Sequence, residues 1–431
     1  MRSGSTIVHK FGGTSVGSAE RFSAVSDILL HHHGASLQRP GVVVTSAMSG
    51  VTNALLRGAW AAAEGREVTC REVEETVLSR HQTVVEALLP DGVERVALAD
   101  WIETRLADLA RLYASIAVLG ELTARGRDHV AAFGETLSVE ILAAVLRSRG
   151  LHAQAVSATG LIVTDDHFGA ATPLMVPTRV RLQETLDPLL AQGIMPVVTG
   201  FIAATEAGVT TTLGRGGSDY TAAIIGAGLD AGEVWIWSDV DGILTADPNL
   251  AEGARTLREL SYVEAAELAY YGADVLHPKT IRPVIENRIP LRILNSFHPE
   301  DPGTLIVESP STSRVPLPAI ISTRGLSLIA IGGLDDYWSL QAVARALTAL
   351  SEDGVDVLMF SQSFSEHSLN LVVRRDSQSR CLRTLQSTFE AELAREVVSL
   401  GTREQVATVS VVGVPGWNAT GTVSHAFAAL G

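Results

Sequence analysis

The sequence predicts an α/β fold, a mainly parallel layered sheet with helices on both faces, followed by a smaller α+β region. Three observations lead there. Short apolar, β-branched runs recur at residues 41–48 (GVVVTSAM), 194–203 (IMPVVTGFIA), 233–240 (EVWIWSDV) and 290–296 (PLRILNS), the pattern of parallel strands buried on both faces. Between them lie longer segments with apolar residues at helical spacing, such as ERFSAVSDILLHHH and TLSVEILAAVLRSRG, and this alternation argues for a layered sheet. A Ser- and Pro-rich stretch at 309–318, SPSTSRVPLP, reads as a linker, after which the texture changes.

The first strand-like run ends in Lys10 and enters KFGGTSVGS ahead of a helical segment. A plain strand-to-helix corner would use Gly12 and Gly13 for φ > 0. The same turn at a helix N-terminus, with Lys10 as a point charge, is also suited to hold phosphate through successive backbone N–H groups. It is not a Walker A loop, since GxxxxGK[ST] is absent. Residues 100–125 read as a helical insertion. At 210–223, TTTLGRGGSDYTAA sets Gly214, Gly216 and Gly217 around Arg215, with Ser218 and Asp219 where the next helix would be N-capped. Two glycine turns, one with Lys and one with Arg, could close on a polyphosphate and a carboxylate. WSDVDGILTADP at 237–248 offers Ser238, Asp239, Asp241 and Asp247 after a strand, a loop suited to nucleotide contacts that an ordinary acidic turn would also produce. Beyond the linker, LSLIAIGG, LQAVARALTALSEDG, VDVLMFSQS and HSLNLVVRR give strand, helix, strand, strand. VATVSVVGV and GTVSHAFAALG begin a weak second copy.

Composition limits the function classes. The 431 residues, 46% hydrophobic, suit two or three domains. A formal charge of −15, from 33 basic and 48 acidic side chains, disfavours nucleic acid and anionic membranes as partners, so an anionic substrate needs a local positive pocket. Cys70 and Cys381 form no CxxC and suggest neither a disulfide framework nor a Cys-based zinc site. The N-terminal segment lacks a signal-peptide core, and no run of about 18 apolar residues is expected to span a bilayer, which makes the cytoplasm the expected location. His31, His32 and His33 read as a solvated helix end and His277 as a hydrogen-bonded packing residue. His167 reads equally as a plain loop position or as a border of a substrate pocket. Trp235 and Trp237 alternate along a strand and read as core.

KFGGTSV, SAMSGVTN, FGETLS, TTTLGRGGSDYTAA, SDVDGILTADP and GADVLHPKT stand in the order and approximate spacing of the aspartate kinases of the amino-acid kinase superfamily, and the chain resembles that family over nearly its whole length. The resemblance implies a three-layer amino-acid-kinase domain at 1–308, a linker at 309–318, an ACT-like domain at 319–400 and a partial one at 401–431. It implies transfer of the ATP γ-phosphoryl group to the β-carboxylate of L-aspartate, with Mg²⁺ accompanying ATP. Lys10 matches the phosphate-stabilising lysine, with Gly12, Gly13, Thr14 and Ser15 around the transferring group. Arg215 matches the arginine for the substrate α-carboxylate, Glu135 the acid for the α-amino group, and Ser46 and Thr52 hydroxyls of that pocket. Asp219 matches an acid near the phosphoryl groups. Gly216, Gly217, Ser218, Ser238 and Asp239 fall on the nucleotide side.

Three positions depart from the family pattern. Asp274 stands where Lys is frequent, and Leu244 and Asn249 where Tyr and Arg are common, removing an aromatic face and two positive charges from the nucleotide side. Other readings are a kinase for another carboxylate or carbamate acceptor and a noncatalytic amino-acid-sensing subunit. The resemblance further implies an amino-acid effector at the ACT-like region; a strand missing from the second unit would leave an unpaired sheet edge, from which a homodimer is expected. The end at Gly431 fits a truncated chain, a shortened enzyme or the kinase end of a bifunctional chain.

Overall fold

The five residues IVHKF build the strand around which the protein is arranged. In the computed structural model, which describes residues 6–34, 41–271, 276–311, 319–334, 339–363, 365, 367–412 and 420–430, this strand is β1 (Ile7–Phe11). The chain continues through α1 (Ala19–His33), β2 (Gly41–Thr45), α2 (Val51–Ala63), α3 (Glu67–Leu88), α4 (Val93–Leu119), α5 (Ala124–Ser148), β3 (Ala153–Val156), β4 (Val163–Thr164) and α6 (Met175–Ala191). Then come β5 (Met195–Thr199), β6 (Ile202–Thr205), β7 (Thr210–Thr212), α7 (Gly217–Gly228), β8 (Glu233–Ser238), β9 (Glu259–Ser261), α8 (Tyr262–Tyr271), α9 (Pro278–Glu286), β10 (Leu291–Asn295) and β11 (Thr304–Val307).

These strands form an eight-stranded sheet in the order β3-β5-β2-β1-β8-β10-β11-β9, with β1, β2, β3, β5, β8 and β10 paired in parallel, and a three-stranded sheet β4-β6-β7. Alternation along the parallel strands divides their side chains between two helical layers. Phe11, Val43, Val197 and Trp237 join one core with α1 to α5, whereas Val234 meets α7 on the opposite face, where only Gly226 leaves room for its methyl group. The expected layered, parallel-rich α/β sheet is the architecture found.

The second region has its own architecture. It comprises β12 (Ala319–Gly333), α10 (Leu340–Glu352), β13 (Val357–Ser363), β14 (Ser368–Arg374), α11 (Gln378–Thr388), α12 (Glu390–Ala394), β15 (Val398–Val412) and α13 (Thr420–Leu430). An antiparallel sheet β13-β14-β12-β15 packs Ile329, Ile331, Leu369 and Leu371 against Leu350, Leu385 and Phe389. The chain divides into two compact units, Met1–Thr245 with Gly253–Leu317, and Ala246–Glu252 with Pro318–Gly431. Residues 312–318 of the expected linker lie outside the described residues, and the expected boundary at 400/401 falls within β15.

Several expectations need correction. IMPVVTGFIA is two strands in different sheets, because the chain turns at Gly200 and at Phe201, whose φ is +64°. A Cβ at Gly200 would lie 2.5 Å from Ser218 Oγ, so only glycine lets the chain pass beneath α7. The helical insertion begins earlier, at Val93, and a left-handed Gly120 separates α4 from α5. Helix α5 is long and apolar enough to cross a membrane, contrary to expectation, but 78% of its most apolar window is buried inside the protein, as in a core helix. The histidine run is not wholly solvated either. His31 is exposed, His32 is half-buried against Trp235, and His33 is buried with its Nε2 2.9 Å from His9 Nε2. The Trp237 indole N–H donates to His9 Nδ1 at 3.2 Å, so His9 carries its proton on Nε2 and donates it to His33. Trp237 is core as expected, and Trp235 packs beside it.

Burial, reinforced by His33 and His32, holds the His9 pKa well below 6.5. A lowered folded-state pKa means stability present above pH 6.5 and lost as pH falls, by about 1.4 kcal/mol per pH unit for each such histidine. Thermal denaturation should give a lower midpoint at pH 5 than at pH 7, and His9→Gln, which cannot titrate, should narrow the gap; an unchanged gap would refute a neutral buried His9.

Candidate active site

The register of the central strands brings their C-terminal ends to one line. Phe11 pairs with Thr45 and with Trp237, Thr45 with Thr199, and Trp237 with Leu294, so the following residues Gly12, Ser46, Gly200, Ser238 and Asn295 share one edge of the sheet. In parallel α/β sheets that edge is where ligands are held.

Lys10 is the penultimate residue of β1 and its Nζ lies 2.6 Å from Asp219 Oδ1, with the two side chains 12% and 18% exposed. Asp219 sits in the first turn of α7, where the helix dipole favours a negative group. The expected N-cap is corrected here. Gly216, left-handed at φ +69°, caps α7, and Ser218 and Asp219 fall within its first turn. Gly217 is equally constrained, because a Cβ there would come within 2.6 Å of the Phe201 ring.

The first glycine turn is held from below. Ser15 N–H donates to Gly12 O at 3.0 Å and Ser49 N–H to Gly13 O at 3.1 Å, while a Cβ on Gly13 would sit 3.0 Å from Ala47 O. A Cβ on Gly12 would crowd Lys10 Nζ at 3.3 Å. Thr14 is exposed. Ser15 is buried, and its hydroxyl meets Ser296 Oγ at 2.8 Å, so the side chain braces the turn instead of facing a ligand. Arg21 extends the brace, donating to Ser296 O and Oγ and covering the Phe297 ring.

Glu135 of α5 is 3% exposed, and its Oε1 accepts the Ala47 N–H at 3.2 Å, one residue after Ser46 in the chain, while Thr52 lies in the first turn of α2. Its Oε2 is buried with no hydrogen-bond partner among the described residues. Burial pushes its pKa up to about 8, against the smaller effect of the Ala47 N–H. Arg215 is exposed on the turn between left-handed Gly214 and Gly216. His277 N-caps α9 and lies near Gly216; burial, then Lys279 and Arg215, lower its pKa, the signature of a locally positive surface.

On the expected nucleotide side, Ser238 bonds Asp239 at 3.2 Å and its carbonyl accepts from Ser296. Leu244 forms an isolated bridge to Thr256. Asn249 bonds Asp247 and belongs to the segment grouped with the second unit, and Asp274 lies outside the described residues. His167 is exposed on its loop. Sequence reasoning missed Asp128, which is 1% exposed and accepts hydrogen bonds from Gly169 and Thr212. Its signal was an acid seven residues before Glu135, on the same face of an otherwise apolar helix. Arg21 and Arg80, whose guanidinium reaches Gly17 O, were missed as well.

These groups combine a cationic turn for an anion with a buried acid that lacks a cation. The residues suit a magnesium ion held mainly by a polyphosphate, because Asp219 is a carboxylate at this edge and no group of three or more potential metal ligands occurs among the described residues.

Comparison with known proteins gives the same direction. The amino acid kinase family model matches residues 5–295, and an ACT domain model matches 340–389. The chain is 37% identical over 374 residues to chloroplastic aspartokinase 1 of Arabidopsis thaliana, covering 85% of this chain and 63% of that protein. It is 36% identical to aspartokinase 3 of the same plant, covering 94% and 70%. It therefore spans just under two thirds of the length of the first of these relatives. Among solved structures it resembles aspartokinase III of E. coli in complex with aspartate and ADP, at 30% identity and a TM-score of 0.81 over 99% of this chain and 91% of that one. It also resembles that enzyme in complex with lysine and aspartate, at 29% identity and a TM-score of 0.78 over 99% and 91%.

The raised pKa of Glu135 sets a pH dependence. The neutral buried form contributes stability that is full below about pH 4.5 and lost as pH rises through about 8. Glu135→Gln, which stays neutral, should become progressively more stable than wild type as pH rises between 5 and 9 in the ligand-free protein. Parallel melting-temperature profiles for the two proteins would contradict the burial.

Proposed function

This chain belongs to the amino acid kinase family, among its aspartokinases, and on that premise we propose that it transfers the γ-phosphoryl group of ATP to the β-carboxylate of L-aspartate, yielding 4-phospho-L-aspartate and ADP. The observation that supports this reading best is Glu135, a buried acid of α5 with one unpartnered oxygen, whose other oxygen holds the Ala47 N–H just past the end of β2. The ammonium group of an α-amino acid would complete that oxygen and favour the ionised form of the acid.

The difficulty of the reaction is charge. A carboxylate must approach a phosphoryl group while negative charge moves to the leaving oxygen, and catalysis comes from positioning and cationic stabilisation. In this reading Lys10 stabilises the transferring group, and the backbone N–H groups of Gly13 and Thr14 lie around it, while the Gly12 N–H donates to Trp237 O at 3.4 Å. Asp219 holds the Lys10 ammonium at 2.6 Å and so fixes where that charge stands. Arg215 takes the substrate α-carboxylate with a bidentate fork. Glu135 takes the ammonium, and Ser46 and Thr52 line the pocket. The attacking carboxylate is already ionised near neutral pH, so no general base is required. Magnesium arriving with ATP would neutralise phosphate charge, and Asp219 is the carboxylate that would help hold its hydration shell. Gly216, Gly217, Ser218, Ser238 and Asp239 contribute to the nucleotide side, where the departures at Leu244, Asn249 and Asp274 bear on ATP affinity.

An amino-acid effector at the ACT-like region and a homodimer belong to the same reading. Support for the dimer is the edge strand β13, which leaves Met359 and Phe360 exposed. The cytoplasm remains the proposed location on sequence grounds alone, and the plant relatives above are chloroplastic.

Coupled ADP release with Mg·ATP should depend on L-aspartate and be absent with L-glutamate or without acceptor; no aspartate-dependent release from folded protein would overturn the function. Lys10→Ala should lower kcat by about a hundredfold or more with little change in aspartate KM, whereas Arg215→Ala should chiefly raise that KM. Equal effects of both variants on both parameters would contradict the assigned roles. Light scattering at micromolar concentration should give twice the chain mass; a monomer throughout would remove the dimer.

A further inference from the structure

We propose that Asp128 is the positioning residue for Arg215, and that α5 thereby sets the distance between the groups that grip the two ends of the amino-acid backbone. The inference rests on the aspartokinase reading above and adds a residue that the reading does not contain. Asp128 Oδ2 accepts the Gly169 N–H at 2.8 Å and the Thr212 N–H at 2.9 Å, and its Oδ1 accepts the Thr212 hydroxyl at 3.0 Å. Thr212 ends β7, and Arg215 follows three residues later. Between them Gly214 is left-handed at φ +78°, and a Cβ there would stand 3.2 Å from Gly169 O. The loop around Gly169 and the end of β7 are thus tied to one carboxyl group, and the Arg215 turn rests against both. The Arg127 guanidinium lies against left-handed Gly169, in the space a Cβ would enter.

Arg215 is exposed on the turn between left-handed Gly214 and Gly216, so a shift of that turn carries the guanidinium with it. A loop left to itself samples many positions, and bidentate capture tolerates only small displacements. Glu135 lies seven residues beyond Asp128 on the same face of α5, about 10 Å along the axis. One rigid helix thereby holds the ammonium-binding acid directly and the carboxylate-binding arginine through Asp128.

The test is a double-mutant cycle on the full chain. Asp128→Asn keeps the shape and can leave its carboxamide oxygen on the two N–H donors. It removes, however, the negative charge that strengthens those bonds and sets an NH2 group against the Thr212 hydroxyl, which must turn to accept. It should lower kcat/KM for aspartate at least tenfold, with KM for Mg·ATP unchanged within twofold. Added to Arg215→Ala, it should cost less than twofold, because a displaced turn does not matter once the arginine is gone. A merely structural role would multiply the two losses, and that result, or an unchanged kcat/KM in Asp128→Asn alone, would overturn the proposal. If Asp128→Asn does not unfold cooperatively, Thr212→Val removes only the hydroxyl donor. Its expected loss of about threefold should vanish in the Arg215→Ala background, and equal losses in both backgrounds would overturn the inference. Wild-type protein lacking aspartate-dependent ADP release would instead refute the function itself.

Discussion

The ion pair between Lys10 and Asp219 is the constraint on which the arrangement of the site depends. Lys10 stands near the end of a central strand flanked by β2, which is buried throughout, and by the partly buried β8, and an ammonium group there costs several kcal/mol unless it is partnered. The partner comes from the first turn of α7, so that turn must lie close to the strand end. Two glycines make this approach feasible. Gly200 lets the chain pass under Ser218, and Gly217 clears the Phe201 ring. The left-handed Phe201 beside them is a strained conformation for a bulky residue, held by Thr221 Oγ1 accepting its N–H and by Leu213 donating to its carbonyl.

The two buried acids of α5 show opposite solutions to one problem. Asp128 meets three donors and so ties two loops together, whereas Glu135 meets one donor and keeps an oxygen without a partner. A satisfied buried polar group rigidifies; an incompletely satisfied one has affinity for whatever completes it. Both sit on a helix apolar enough to resemble a membrane span, and that composition reflects burial between the sheet and its neighbouring helices.

The second unit solves its folding separately. Strands β12 and β15, each of 15 residues, pair from Ala319 with Val412 to Gly333 with Val398, interrupted near Gly325 by a register irregularity. Only part of that ladder is covered by α10 and α11, which explains the buried pattern at Ile329 and Ile331 beside the exposed run through the middle of β15.

Much of the fold was legible in the amino-acid order. Buried parallel strands announce themselves through unbroken β-branched runs, and the motifs holding Lys10, Glu135, Arg215 and Asp219 are local enough to read directly. Local pattern could not show that IMPVVTGFIA bends into two sheets, because the bend answers to Ser218 across the site. It could not show that His33 folds inward, since its partner His9 lies 24 residues away. Nor could it show that Ser15 braces Ser296, or that Asp128 joins Gly169 to Thr212. The sequence by itself determined which elements form and which chemical groups stand at strand ends, because periodicity and turn chemistry act over a few residues. Tertiary structure alone decided which groups meet and which stay unpartnered, because burial and hydrogen-bond satisfaction depend on contacts between residues far apart in the chain.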